Sequence, residues 1–171
     1  KEWANAETEA SSIINSGFYG MEALDNVFLA SSNEAIWQLM PVSIYNTSEG
    51  LLLNPFSSSV QPVYLLTDSL LNSFEPGDLR KQHWTNANVI SGTTYTYPYK
   101  YKVRFGSSPY IEYNMVLRLA EQFLIRAEAE AQQNKLTEAA ADINIIRSRA
   151  GLPNTSAITQ TELLTNIAHE N

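Results

Sequence analysis

The sequence contains no cysteine among its 171 residues. This absence excludes disulfide scaffolds, zinc sites with thiolate ligands and cysteine nucleophiles. No apolar run approaches the roughly 20 residues that a membrane-spanning helix needs. Basic residues are also scarce, since 11 Lys and Arg stand against 18 Asp and Glu and give a formal net charge of −7. Because this charge opposes binding to a phosphate backbone, we expect no nucleic-acid partner.

Glycine and histidine are likewise few, and neither indicates a catalytic or cofactor site. The seven glycines are scattered singly, without the pattern of a phosphate-binding loop. His83 lies in a polar segment, and His169-Glu170 lacks the second histidine of a zinc-protease helix. Glu128 and Glu130 lie two positions apart on a predicted helix, so they face opposite sides and cannot act together as a glycosidase pair. These residues therefore indicate no catalytic pair, no cofactor and no metal site.

Charge divides the chain into three stretches. Residues 1–79 carry ten acids and one base, residues 80–111 carry five bases and no acid, and residues 112–171 carry five bases and eight acids. We expect a single folded region over 1–171. Its first stretch is predicted to hold helices and a long loop, its second an irregular or extended aromatic and basic segment, and its third a helical hairpin and the start of a further helix.

Local patterns predict the helices of the first stretch. Apolar spacing, capping residues and the glycine and proline positions place helices at 1–14, 22–29, 35–39 and 63–74. From Met40 to Gln61 no period is sustained, and prolines and serines indicate a long irregular loop. A loop of this length in a compact domain is usually either functional or disordered.

The middle stretch changes to a period of two, which is typical of an extended segment. One face is apolar and the other largely basic, with the apolar face formed by Tyr95, Tyr97, Tyr99, Tyr101, Val103 and Phe105. Pro98 favours an edge strand or an irregular extended stretch near 93–105. Two interpretations stay open: the tyrosines pack on the core, or some of their rings line a ligand surface.

The last stretch predicts an antiparallel helical hairpin. Met115–Gln132 has one apolar stripe, and Glu138–Arg149 ends at Gly151. The many alanines on both helices permit close approach, as in tetratricopeptide units. A capping box follows at Thr159 and Glu162 and begins a further helix. Because that helix starts so near the end of the sequence, we expect a fragment of a longer protein.

Aromatic side chains next to amides and hydroxyls suit sugar binding, because a ring stacks on the C–H face of a pyranose while amides bond its hydroxyls. Trp3 and Trp37 lie on predicted apolar helix faces and are expected in the core. Trp84 lies in a polar segment and is the better candidate for exposure, although a half-buried loop tryptophan is an equal alternative. The candidate ligand-binding residues are Trp84, Tyr95 and Tyr97, with Tyr45 and Asn46 from the long loop.

Two segments of the last stretch resemble a known family. Residues 118–129, RLAEQFLIRAEA, and 140–152, AADINIIRSRAGL, resemble the "RLAExyLirAEA … AaxdiNxiRxRAGl" signature of the SusD/RagB family. Shorter matches at 10–19, 34–39, 78–80 and 99–101 agree in order. The resemblance covers nearly the whole chain and is weakest at 41–61 and 82–97.

The resemblance implies a mainly α fold, an α-α superhelix of tetratricopeptide-like helix pairs with an irregular loop-rich part. It implies a noncatalytic, lipid-anchored protein of Bacteroidota outer membranes that binds a glycan or other nutrient at the cell surface. The implied partner is a SusC-type TonB-dependent transporter. The family offers no universal binding residues, and its lipid-bearing cysteine is expected before Lys1. The main alternative is a helical-repeat protein–protein adaptor without a small-molecule site; a glycoside hydrolase ranks third.

Overall fold

The computed structural model describes residues 2–42, 46–106 and 108–170. Two compact units divide the chain. The helical unit comprises Lys1–Met21, Asn33–Ile36 and Leu117–Asn171, and the loop-rich unit comprises Glu22–Ser32 and Trp37–Val116. The mainly α fold expected from the sequence is confirmed. The expectation of a single region over 1–171 stays a prediction.

Helices dominate the helical unit. Its elements are α1 (Trp3–Ile14), α5 (Leu119–Gln132), α6 (Leu136–Arg149) and α7 (Gln160–Glu170). The hairpin of α5 and α6 turns at Asn134, whose φ of 62° is the left-handed conformation that Asn tolerates. Ala127, Ala131 and Ala139 are fully buried where the helices meet. Their small side chains let α5, α6 and α7 pack closely around Ile143 and Leu163.

The capping box predicted at the start of α7 is present. Glu162 N donates to Thr159 Oγ1 at 3.3 Å, and Glu162 Oε2 accepts from Thr159 N at 3.1 Å. The reciprocal bonds satisfy backbone donors that the first helical turn leaves without partners. Ile158 N also donates to Glu162 Oε2, at 3.1 Å. This bond chiefly, and then those from Thr159, lower the pKa of the Glu162 carboxyl.

Strands and short helices form the loop-rich unit. Its elements are α2 (Ser48–Leu53), α3 (Asp68–Ser73), α4 (Leu79–Trp84), β2 (Thr85–Ile90) and β3 (Thr93–Pro98). β2 and β3 pair antiparallel with Ile90 opposite Thr93. Ser91 and Gly92 make the two-residue turn with φ of 52° and 80°, as a type I′ hairpin requires. The core of this unit contains Leu24, Val27, Phe28 and Trp84.

Three predicted helices are wrong or shorter. Residues 35–39 form strand β1 (Ala35–Leu39), which pairs with β4 (Asn114–Arg118), and the predicted helix at 22–29 is replaced by turns at 24–28 and a β-bridge at Leu29. A five-residue apolar run fits either period, and pairing with a distant strand decides it. Residues 63–67 are not helical, because Thr67 Oγ1 caps α3 and the helix begins at Asp68, five residues later than predicted.

Three other features differ from the predictions. β4 occupies the first residues of the helix predicted from Met115, so α5 begins at Leu119. The predicted long loop contains the short helix α2, capped by Thr47. Trp37, expected in the core, is 53% exposed on β1.

Among the described residues, no helix is both long and apolar enough to cross a membrane.

Candidate functional site

An open cavity of about 310 Å³ lies in the loop-rich unit. Its lining combines aromatic, aliphatic and polar side chains, including Leu51, Asn54, Phe56, Val60, Tyr64 and Arg104. α2 and the residues after it form one wall, and the segment around Arg104 forms another. Every lining residue belongs to the loop-rich unit.

α2 lies unusually close to the segment that carries Arg104. Thr47 Oγ1 caps the helix by accepting from Gly50 N at 3.0 Å. A Cβ atom at Gly50 would collide with the carbonyl oxygen of Val103, so only glycine permits this approach. At the other end of the helix, Asn54 Nδ2 donates to the carbonyl of Tyr101 at 2.9 Å. The side chains of Thr47 and Asn54, together with the lack of a side chain at Gly50, therefore position this wall of the cavity.

Arg104 is held at the end of α2. Its Nη1 donates to the carbonyl oxygens of Leu51 and Asn54, and its guanidinium lies over the ring of Phe105 at 5.2 Å. Arg104 Nε and Asn54 Oδ1 are buried, and neither has a hydrogen-bond partner among the described residues. A buried polar atom without a partner costs free energy, so such atoms often indicate a place where a ligand or water completes the bonding.

Glu112 holds the main chain that precedes Arg104. Its carboxylate accepts from Lys102 N at 2.7 Å and from Val103 N at 3.1 Å. The side chain is only 3% exposed, and this burial raises the pKa of Glu112 although the two backbone N–H groups act in the opposite direction. A single carboxylate therefore provides the bonds that a neighbouring strand would otherwise supply.

The hairpin supports the remaining wall of the cavity. Asn88, buried on β2, donates from Nδ2 to the carbonyls of Ser57 at 2.9 Å and Val60 at 2.6 Å. Next to this anchored loop Phe56 is 73% exposed, and its ring meets that of Phe105 edge to face at 6.0 Å. Two exposed rings beside a cavity offer apolar faces to a ligand.

The expected exposure of Trp84 is wrong. Its side chain is 8% exposed, and its Nε1 donates to the carbonyl of Leu24 at 2.9 Å. The polar neighbours that suggested a loop belong to α4 and β2, and Trp84, the last residue of α4, packs edge to face on Phe28 at 5.7 Å. The buried indole is a core residue with its one donor satisfied.

Three further candidates from the sequence do not line the cavity. Tyr97 is buried on β3, with 4% exposure, and burial raises its phenol pKa. Tyr95 is half-buried on the same strand, opposite Asn88. Asn46 is buried and accepts from Thr47 N through Oδ1 at 3.1 Å. Tyr45 lies outside the described residues. Of the two interpretations of the tyrosine face, packing on the core applies to Tyr97. A ligand-binding role for Tyr95 stays a prediction.

Sequence reasoning missed Arg104, Asn54 and Phe56. Arg104 was assigned only to the basic face of an extended segment, but the excess of five bases over no acid in residues 80–111 was a usable signal. Asn54 and Phe56 flank Pro55 in the long irregular loop that the sequence predicts between Met40 and Gln61. Their convergence depends on contacts between distant parts of the chain.

A helical unit with a tetratricopeptide-like hairpin, joined in one chain to a loop-rich unit with an aromatic-rimmed cavity, defines the class: a mainly α scaffold that carries a pocket on loops. The sequence profile of the SusD family matches residues 34–171. The chain belongs to the SusD family. A search of curated proteins finds no match.

Solved structures share the fold. A SusD superfamily protein from Parabacteroides distasonis is 20% identical with a TM-score of 0.79, over 98% of this chain and 43% of its own. A surface glycan-binding protein A from Bacteroides uniformis is 16% identical with a TM-score of 0.74, over 99% of this chain and 42% of its own. A SusD-like carbohydrate binding protein from Bacteroides vulgatus is 20% identical with a TM-score of 0.73, over 99% of this chain and 38% of its own. The chain therefore spans about two fifths of the length of these structures.

Proposed function

We propose that this chain is part of a noncatalytic protein that binds a glycan or other nutrient at the bacterial cell surface and delivers it to a SusC-type TonB-dependent transporter. Membership of the SusD family carries the proposal. The names of two similar structures, a surface glycan-binding protein and a carbohydrate binding protein, support the glycan. In the parent protein, an N-terminal lipid would hold the molecule at the outer membrane.

The cavity of the loop-rich unit is the proposed ligand site. Phe56 and Phe105 present exposed rings, which suit stacking on the C–H face of a pyranose. Asn54, Gln61 and Arg104 supply polar groups in the same lining, which suit hydrogen bonds to hydroxyls. Of the residues expected from the sequence, Tyr45 and Tyr95 remain proposed ligand contacts.

Calorimetric titration of the full-length protein with a panel of polysaccharides tests the proposal. We expect Phe56→Ala to weaken binding of the recognised glycan about 10-fold, because a stacking face is lost. Phe18→Ala is the matched control, since Phe18 is 84% exposed and lies in the helical unit. Equal affinities of both variants and the wild type would remove the cavity from the ligand site.

Two other outcomes would overturn the function itself. If no glycan or other nutrient binds while the protein captures the transporter in a pull-down, the adaptor alternative is favoured. Hydrolysis of any bound glycan would contradict a noncatalytic role.

A further inference from the structure

Arg104 differs from the other arginine of the loop-rich unit in lacking a carboxylate partner. Arg80 binds Asp78 with Nη2 to Oδ2 at 2.8 Å. Lys102, two residues before Arg104, pairs with Asp25. Arg104 contacts only two carbonyl oxygens and one aromatic ring within the part of the chain that the structure describes. Within the described residues, its positive charge therefore pairs with no carboxylate.

The edge of the guanidinium that Arg104 does not use, formed by Nε and Nη2, is the one with which two other arginines of this chain bind a carboxylate through two bonds. Arg80 uses Nε and Nη2 together on Asp78, and Arg126 uses Nε and Nη2 together on Asp142. In the part of the chain that the structure describes, Arg104 donates through Nη1 alone, and its buried Nε has no acceptor. Two parallel bonds to an oxyanion are the strongest arrangement that a guanidinium offers.

The acid nearest to Arg104 along the chain is Glu112, which lies outside the cavity lining and accepts from Lys102 N and Val103 N. The cavity lining contains no Asp or Glu among the described residues, and residues 80–111 contain none in the sequence. The contacts of Nη1 with Leu51 and Asn54 fix the guanidinium in place, so little side-chain freedom is lost when an anion binds. Asn54 Oδ1, buried without a partner, adds an acceptor suited to a hydroxyl donor in the same lining.

We propose that the cavity takes an acidic sugar, with Arg104 binding its carboxylate or sulfate ester through Nε and Nη2 while Phe56 and Phe105 contact the sugar ring. This inference rests on the proposed function and adds the chemical class of the ligand. Charge complementarity carries it, because the uncompensated cation is the one group in the lining that a neutral sugar would leave without a counterion.

Matched probes test the charge directly. Calorimetry on the full-length protein compares hexagalacturonate with its methyl ester, and a chondroitin sulfate oligosaccharide with its desulfated, carboxyl-reduced form. We expect at least one acidic member to bind 10-fold or more tighter than its neutral counterpart. Which pair shows the preference distinguishes a carboxylate from a sulfate ester. We also expect that affinity to fall as sodium chloride rises, a readout that needs no variant.

Arg104→Gln should remove the preference for the acidic member, and Arg104→Lys should restore part of it. Lys81→Gln is the control, because it changes the charge equally at an exposed position outside the cavity lining. Equal affinity for the acidic and neutral members, or a preference that survives in Arg104→Gln, overturns the acidic ligand and leaves the proposed function standing. Failure of every probe and every neutral glycan to bind counts against both.

Discussion

Glu34 Oε2 accepts a hydrogen bond from Arg149 Nη1 at 2.6 Å inside the helical unit. The other carboxylate oxygen accepts from Arg118 Nη1 at 2.9 Å, and the side chain of Glu34 is fully buried. One carboxylate thus joins the residue before β1 to the residue before α5 and to the last residue of α6. Glu34, Arg118 and Arg149 lie in the segments that resemble the family signature, and their role in this structure is to hold the helical unit together.

Replacing Glu34 with Ala should therefore destabilise the helical unit. Breaking a buried ion pair leaves an uncompensated charge and costs about 3–5 kcal/mol. Urea denaturation followed by circular dichroism measures the change in the free energy of unfolding. The control is Glu9→Ala, which removes an exposed carboxylate from α1. A loss no larger than that of the control would show that the ion pairs do not stabilise the fold.

Glu130 on α5 gives the helical unit a dependence on pH. Burial, and then the carboxylate of Asp142, raises the pKa of Glu130 to about 7. The folded state therefore holds a proton on this group that the unfolded state, with an ordinary pKa near 4.5, has lost. Between these two values the folded state binds more protons, so the contribution of Glu130 to stability falls as pH rises towards 7.

Glu130→Gln should flatten this part of the stability profile and raise stability at pH 8, because it removes the buried negative charge. Thermal denaturation at intervals from pH 4.5 to 8 provides the measurement. Glu128→Gln, on the same helix and half-buried, is the comparison. A slope that persists unchanged in Glu130→Gln would assign the titration to another group.

Gly50→Ala should destabilise the loop-rich unit and displace α2 from Val103. The added methyl group meets a backbone carbonyl, which cannot move as a flexible side chain can, and overpacking of this kind costs about 1–3 kcal/mol. Gly20→Ala is the control, since its Cβ would lie in open space and its φ is not left-handed. Equal unfolding midpoints for the two variants would contradict the close approach.

Trp84→Phe should lower the free energy of unfolding by about 1–3 kcal/mol, because the carbonyl of Leu24 loses its indole donor. The same change at Trp37, which is 53% exposed, should be nearly neutral. Chemical denaturation of both variants tests the burial of Trp84. If ligand affinity falls in Trp84→Phe while stability does not, the sequence-based role of this residue is reinstated.

Local signals in the sequence predicted the helical unit well. The stripe of α5, the alanines of α6 and the capping box of α7 each act within a few residues, so the pattern contains the cause. β1 was predicted as a helix because its partner β4 lies about 80 residues further along the chain. Five residues cannot reveal such a partner.

The cavity was harder to predict because distant contacts build it. Asn88 anchors a loop about 30 residues earlier, and Arg104 contacts carbonyls about 50 residues earlier. None of these contacts has a period or a motif. The polar segment around Trp84 suggested exposure for a related reason, since the core that covers the indole comes from Leu24 and Phe28.

The anchors of the cavity wall differ in kind from the surface they support. The side chain of Asn88 donates to the carbonyl oxygens of Ser57 and Val60, and every residue type has a carbonyl. Side chains on residues 55–60 can therefore change without loss of the anchor. Because Asn88 holds this loop through its backbone, the loop side chains that line the cavity can be substituted while the hairpin stays unchanged. The same scaffold can therefore acquire a new ligand preference through substitutions in one short loop.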